Sequence, residues 1–325
     1  MLPAWLEVDV RPAPGANVVL ARDPGGGAPS LVDSGSPTVV GTRRTAAFLA
    51  AHGLAPGDVA QVVCTHWHCD HVGGCAWLQA EHGVPVAAHA SEAALVNARD
   101  PRACDTTWLG NEVGPYRVDR ALEDGEHVAA GPGFEVVHIP SQTPGHVALW
   151  QPEDRVLITG DHLQAGDVAW VPVGGPWQDG ALERSIAAVH RLAALRPRLV
   201  VPGHGPVVTD PDAAIERALH RYALWRERPE LAAWHAVRRI AVSAVVSAPA
   251  DPADPAARFA GLPCLEDAAR LLDRAPAALA RELVAEFLER GVLAVRDGRV
   301  VATIEHEPPS PLRIGPGSPE AWPPA

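Results

Sequence analysis

The sequence predicts a layered α/β fold followed by a small module of two helices and a hairpin. Three observations carry this. β-rich runs alternate with helical patterns in two successive halves, clusters of His, Asp and Gly fall where the runs end, and a proline-broken stretch near residue 250 precedes the last helical patterns.

In the first half, LEVDV, NVVLAR and SLVDSG read as strands, TRRTAAFLAAHG as a helix, QVVCTH as a strand and CAWLQAEHG as a helix. After PVAAHA, the segment from about Ser91 to His127 starts helically. It then carries Trp108, Gly110, Gly114 and Tyr116 without a clear period, as a lid over a site does. The second half repeats the grammar, with FEVVHIPSQT, HVALWQP and RVLITGD as strands, GALERSIAAVHRLAALR as a helix and RLVVPGHG as a strand. Side chains at the ends of neighbouring strands converge on one sheet edge, so histidines far apart in sequence can meet there.

From Asp210 a long helical pattern runs through AIERALHRYALWRERPELAAWHAVRRIA, and SAPADPADPAARFAGLP breaks it. CLEDAARLLDRAP and ALARELVAEFLERG then read as helices. VLAVR, the turn pair Asp297 and Gly298, and RVVATI form a hairpin, giving a winged-helix-like module. The expected divisions are a main α/β unit at 1–225, a helical extension at 226–247, a linker at 248–263, the module at 264–304 and a tail at 305–325 that, with no periodic face, is expected to be disordered or loosely draped.

Composition narrows the function. Across 325 residues the formal net charge is −12, which opposes a broad polyanion-binding surface and so disfavours nucleic acid as a partner. All 27 basic residues are arginine, which excludes any mechanism that needs a lysine amine. Cys64, Cys69, Cys75, Cys104 and Cys264 form an odd set without small-scaffold spacing, and no signal segment opens the chain, so a reducing cytoplasm is the expected home. No apolar run approaches the ~20 residues that span a bilayer; Ile240 to Ala248 is too short.

The run Thr65-His66-Trp67-His68-Cys69-Asp70-His71 packs three imidazoles and a carboxylate directly after an apolar strand. Period-two alternation lets His66 and His68 point one way while Asp70 and His71 turn toward a second position. Neutral imidazole and carboxylate suit zinc, iron or manganese, and such ions need further ligands. His146 in TPGH, Asp161 in TGDH and His204 in PGHG supply candidates, each beside a glycine that permits a tight turn at a strand end. Cys69 alternates away from its neighbours and is set aside as a ligand, and Cys64 and Cys75 read as small core residues.

In order and context these motifs resemble those of the metallo-β-lactamase superfamily, over about residues 5 to 225. The resemblance implies a four-layer αβ/βα sandwich with the site at one edge. It also implies two divalent metal ions, with His66, His68 and His146 on one, Asp70, His71 and His204 on the other, and Asp161 bridging them. Zinc is the expected ion, with iron or manganese able to replace it. Asp33 in VDSG would orient a metal-bound histidine from behind, and Asp70 would also handle a proton. His162, directly after Asp161, is a candidate either for contact with the substrate or for support behind the ligands. A bridging hydroxide would serve as nucleophile.

Within that superfamily the chain looks closest to the lactamase-beta-2-like and glyoxalase II-like group, through THWHxDHxGG, TPGH, PGHGP and the appended module. Some members of the group cut single-stranded RNA, and related enzymes release acyl groups from carrier-protein thioesters. The second helix of the module, with Arg281, Glu282, Glu286, Glu289 and Arg290, is not a basic face, so the expected substrate is a small or carrier-bound thioester, ester or lactone. Single-stranded RNA cleavage stands as the alternative, and mononuclear iron persulfide oxidation as a further one. Trp170 and Trp177 lie in a Gly/Pro-rich loop suited to walling an acyl group. The module can also act as a partner-binding or homodimerising element.

Overall fold

A computed structural model describes residues 1–247 and 256–313. Its first sheet runs in order through β1 (Leu6–Asp9), β2 (Val18–Ala21), β3 (Ser30–Val32), β4 (Val62–Val63), β5 (Val86–His89) and β6 (Arg120–Leu122). The first pairs are antiparallel, and β3 to β6 run parallel. The helices between them are α1 (Val39–Ala51), α2 (Cys69–Val72), α3 (Cys75–His82), α4 (Ala90–Asn97) and α5 (Thr106–Leu109).

The second sheet holds β7 (His127–Val128), β8 (Phe134–His138), β9 (Val147–Gln151), β10 (Val156–Ile158) and β11 (Leu199–Val201), in the order β11-β10-β9-β8-β7. Of its pairs only β10 with β11 is parallel, because α6 (Ala181–Ala194) crosses over between them.

Strand alternation explains why the sheets stack. Val19 and Ala21 of β2 face the second sheet, where Val136, Leu149, Ile158 and Val201 meet them in one buried cluster. Val18 and Leu20 face outward against Leu49 of α1 and Leu78 of α3. On the far side, Val200 and Leu157 pack against Val189 and Leu192 of α6 and Ala214 and Tyr222 of α7 (Pro211–Glu227). Helix, sheet, sheet, helix is therefore the layer order, an αβ/βα sandwich.

The long helical pattern after Asp210 is two helices. Asp210 caps α7 by accepting from Ala213 N at 3.1 Å, and α8 (Pro229–Ser247) starts at Pro229. Proline disfavours helical backbone in the residue before it, which ends α7 at Glu227. α9 (Ala257–Ala260), α10 (Pro263–Leu271), α11 (Pro276–Glu289), β12 (Leu293–Arg296) and β13 (Arg299–Ala302) follow among the described residues. Val237 and Ala241 of α8 join Leu265, Leu279, Leu283, Phe287, Leu293 and Val300 in one core. Ala232 of the same helix packs instead with Val189 and Tyr222 in the main unit, so α8 contributes to both cores.

The expected linker at 248–263 falls partly outside the described residues; within it, Phe259 of α9 is buried in the module core. Of the tail expected to be disordered or loosely draped, residues 314–325 lie outside the described residues, and residues 307–313 pair with the main unit. Residues 305–313 lie back across the main unit as a strap, with Glu307 N donating to Ala13 O, Val39 N to Pro311 O and Arg313 N to Pro37 O. Proline-rich sequence hides this, because backbone pairing needs no apolar periodicity. Among the described residues, no helix is long and apolar enough to cross a membrane.

Candidate metal centre

The polar clusters meet at one edge of the sandwich. Asp33 follows β3, His66 follows β4, His146 precedes β9, Asp161 follows β10 and His204 follows β11. His68 sits in extended backbone as the residue before α2, and that single helical turn carries Asp70 and His71 round to a different direction.

Two groups of donor atoms converge: His66, His71 and Asp161, and Asp70, His71 and His204. Asp161 Oδ1 lies 3.1 Å from His71 Nε2 and 3.2 Å from His204 Nε2. Asp70 Oδ2 lies 3.2 Å from His204 Nε2. His66 Nε2 and His68 Nδ1 are 3.0 Å apart. His146 stands differently. Its ring stacks on His66 with centroids 4.4 Å apart, and its Nε2 faces Thr159 O at 3.2 Å.

Glycine makes the closeness possible at two points. A Cβ at Gly203 would come within 2.6 Å of His71 Cε1 and 2.8 Å of Asp161 Oδ1. Gly160 has φ +52°, and a Cβ there would come within 2.5 Å of His146 Nε2.

Behind the histidines stand carboxylates. Asp33, at φ 57°, accepts from Thr65 N and Thr65 Oγ1, both at 2.8 Å, and its Oδ2 is 2.7 Å from His71 Nδ1. Asp105, at φ 50°, accepts from Trp67 Nε1 and Trp177 Nε1 and faces His68 Nε2 at 3.4 Å. Left-handed backbone at two carboxylates behind one centre is strain kept for placement. Glu92 accepts from Thr143 Oγ1 and so braces the TPGH turn that presents His146. With its amide oriented to satisfy both neighbours, Gln142 donates to Asp161 Oδ2 at 3.3 Å and accepts from Trp170 Nε1.

Sequence reasoning missed Asp105, Glu92 and Gln142. Asp105 lies in the aperiodic stretch after Ser91, and the two tryptophans it serves, Trp67 and Trp177, are far from it in sequence. His162 donates or accepts through Nε2 at 2.6 Å from Ser141 Oγ, beside His146, and is a member of neither donor group. Of the two tryptophans expected to wall a substrate, Trp170 lines the cleft and stacks on His68 with centroids 5.5 Å apart. Trp177 instead packs on Trp67 and holds Asp105.

The electrostatics divide the set. Burial, then the neighbouring histidines, hold the His66 pKa well below the usual range, and burial does the same for His146. Burial opposes charge on His71 as well, yet Asp33, Asp70 and Asp161 hold it well above its usual value. His204 is pushed up to about 9 against burial, by Asp161 and Asp70. Burial likewise works against ionised Asp161, but His204 and His71 keep it well below the carboxylate range. Burial raises the Cys69 thiol, which is therefore neutral and a poor ligand.

Whether these donors fit a cation is decided by atoms left over. His71 Nε2, His146 Nδ1 and Asp161 Oδ1 are buried without a hydrogen bond, although His71 and Asp161 are 3.1 Å apart. A buried polar atom normally has a partner, and a group of them left unpaired side by side is what a bound ion or water satisfies. Imidazole and carboxylate in such groups match the donor chemistry of zinc, iron or manganese. The residues fit the group.

The centre opens into a cleft of about 1020 Å³. His68, Asp70, Asp161 and His204 line one end, with Trp170 and Leu109 beyond them, and α8, the module and the strap line the rest.

The model of the metallo-beta-lactamase superfamily matches residues 11–204, and the chain belongs to that superfamily. It is 34% identical over 193 residues to hydroxyacylglutathione hydrolase of Pseudomonas aeruginosa (strain LESB58), covering 58% of this chain and 62% of that protein. It is 29% identical over 217 residues to acyl-coenzyme A thioesterase MBLAC2 of Gallus gallus, covering 58% and 72%. The chain thus spans just over three fifths of the length of the Pseudomonas relative. Among solved structures, a metallo-beta-lactamase family protein of Thermus thermophilus shares the fold with a TM-score of 0.58, over 93% of this chain and 100% of that one, at 24% identity.

Proposed function

We propose that this chain is a metal-dependent hydrolase of a thioester carbonyl, with His66, His68 and His146 holding one divalent ion, Asp70, His71 and His204 a second, and Asp161 serving both. The observation that carries it is Asp161 Oδ1, buried and without a hydrogen bond between His71 and His204. When bound, two such ions lower the pKa of water and polarise a carbonyl oxygen. Zinc suits the donors first, and iron or manganese serve the same set.

The chain's own residues do the rest. Asp33 holds His71, and Asp105 faces His68, so each ring meets the centre from one fixed side. Asp70 and His204 are about a fifth exposed, which puts their carboxylate and imidazole where a substrate carbonyl enters and a thiol leaves. Asp70 can hold a proton at Oδ2 as the thiol departs. His68 and His146 lie outside the two convergent donor groups, and His146 turns its Nε2 to Thr159 O, which leaves Nδ1 as its free nitrogen. The thioester is favoured over other carbonyls by the named activities of the two relatives above, and an acidic chain without a basic face favours it over RNA.

The test is a side-by-side panel of acyl-CoA, acyl-carrier thioesters, lactones and labelled single-stranded RNA, before and after prolonged chelation. Thioester turnover lost on chelation and restored by zinc, with close to two ions per chain by metal analysis, is expected. Cleavage of RNA alone, or one tightly held iron without a second ion, would overturn the proposal.

A further inference from the structure

We propose that the far end of the cleft, built by α8, the C-terminal module and the strap, is the pocket for an extended, unbranched acyl chain. This rests on the thioester reading and names the acyl group that it would take.

The cleft of about 1020 Å³ runs from Asp161 and His204 to Ile240, Val242, Leu262, Phe287, Val292 and Ile304. Pockets that hold drug-sized molecules have about 300 to 1,000 Å³, so this space is far larger than a two-carbon acyl group requires. A carbonyl at the metal end leaves an apolar wall in front of it for whatever the carbonyl carries.

The charged side chains that α8 presents along that wall face partners within the protein. Asp167 meets Arg239 Nη1 at 2.9 Å, His235 Nε2 at 3.1 Å and Arg221 Nη1 at 3.2 Å. Glu286 meets Arg290 Nε at 2.9 Å and Arg238 Nε at 3.3 Å. With these guanidiniums already facing carboxylates, a tail bearing its own carboxylate or phosphate would give up its hydration for little return. An alkyl chain gains with each methylene removed from water. The polar thiol arm is left the rim, where Asp70 and His204 are partly exposed.

The pocket also explains why the module is fastened to the centre. Asp267 of α10 accepts from Trp108 Nε1 and from Gly175 N, each at 2.9 Å; Trp108 stacks on Trp170, and Trp170 on His68. The wall that would grip the chain is thereby held at a fixed distance from the reacting end.

The experiment uses the full metal-loaded chain and acyl-N-acetylcysteamine thioesters from acetyl to dodecanoyl, whose thiol arm is small and neutral. The matching S-alkyl thioethers are titrated calorimetrically, so that chain-length dependence is read without turnover. Both kcat/KM and affinity should rise about two- to fourfold per added methylene until the pocket is full. Ile304→Trp, with Val292→Phe as a second variant in case the first misfolds, should lower the decanoyl-to-acetyl ratio at least tenfold and shift the optimum to shorter chains. Flat profiles in both measurements, or equal binding of a thioether ending in a carboxylate, would overturn the pocket. Turnover of every thioester at one rate with flat binding would leave the hydrolase standing without it. Graded thioether binding with no turnover would support the pocket and remove the thioesterase reading.

Discussion

Asp33 Oδ2 lies 2.7 Å from His71 Nδ1, and the same carboxylate accepts from the backbone and hydroxyl of Thr65, the residue before His66. One side chain therefore fixes both the tautomer of His71, which must present Nε2 to the centre, and the strand end that carries His66. Partners of this kind are worth about 10- to 100-fold in metal affinity or activity. Asp33→Ala should lower zinc affinity and kcat by about that factor; metal titration and rate are read together, and unchanged affinity would mean that His71 needs no such support.

Asp105 does the corresponding work for His68 through a longer contact, 3.4 Å, and is itself held by two indole N–H groups. Asp105→Asn preserves shape but replaces an acceptor with a donor facing His68 and the indoles, at a cost of about 1–3 kcal/mol per buried group left unpaired. Melting should fall and turnover should fall further. Trp177→Phe should show the stability loss with a smaller loss of turnover, since Asp105 keeps its bond to Trp67. Equal effects on turnover would show that Asp105 acts only as packing.

The contrast between these two aspartates shows what sequence can and cannot reveal. Asp33 sits in a short motif beside a strand end, so its position along the sheet edge is fixed by period and by turn. Asp105 reaches the centre from the segment between β5 and β6, where no period exists and where side chains are placed by long-range contacts with Trp67 and Trp177. The sandwich was legible because Val18 to Ala21 and Val147 to Gln151 carry enough apolar residues to bury two faces at once. β6 and β7 were not, being three and two residues long with exposed members. The strap escaped for a related reason: backbone groups of Glu307, Pro311 and Arg313 make its pairings, and backbone leaves no trace in composition.

Glu92 supplies a pH signature. Burial raises its pKa to about 8, against hydrogen bonds from Thr143 and Gly145 that favour the ionised form. Unfolded glutamate titrates near 4.3. Between those values the folded state binds the extra proton, so stability from this group is fully present below about pH 4.3 and declines as pH rises toward about 8. Glu92→Gln should flatten that part of the curve of melting temperature against pH. A variant that keeps the wild-type slope would assign the slope to other groups.

The strap offers a ranking that separates buried from exposed polar contacts. Ser36 Oγ donates to Glu307 Oε2 at 2.5 Å, and Glu307 is 6% exposed. Arg313 grips Glu81 with Nη2 at 2.7 and 2.8 Å and lies 5.2 Å from the Trp77 ring, but both ion-pair side chains are about a quarter exposed. Removing a partner from a buried hydroxyl costs about 1–3 kcal/mol, whereas exposed ion pairs contribute about 0–1 kcal/mol. In urea denaturation, Glu307→Ala should therefore destabilise the chain more than Arg313→Ala, and only the Arg313 effect should shrink on adding 0.5 M salt, a concentration of about threefold physiological ionic strength. The reverse order would mean that the strap is held by its outer end, with Glu307 burying a charge that its partners do not offset.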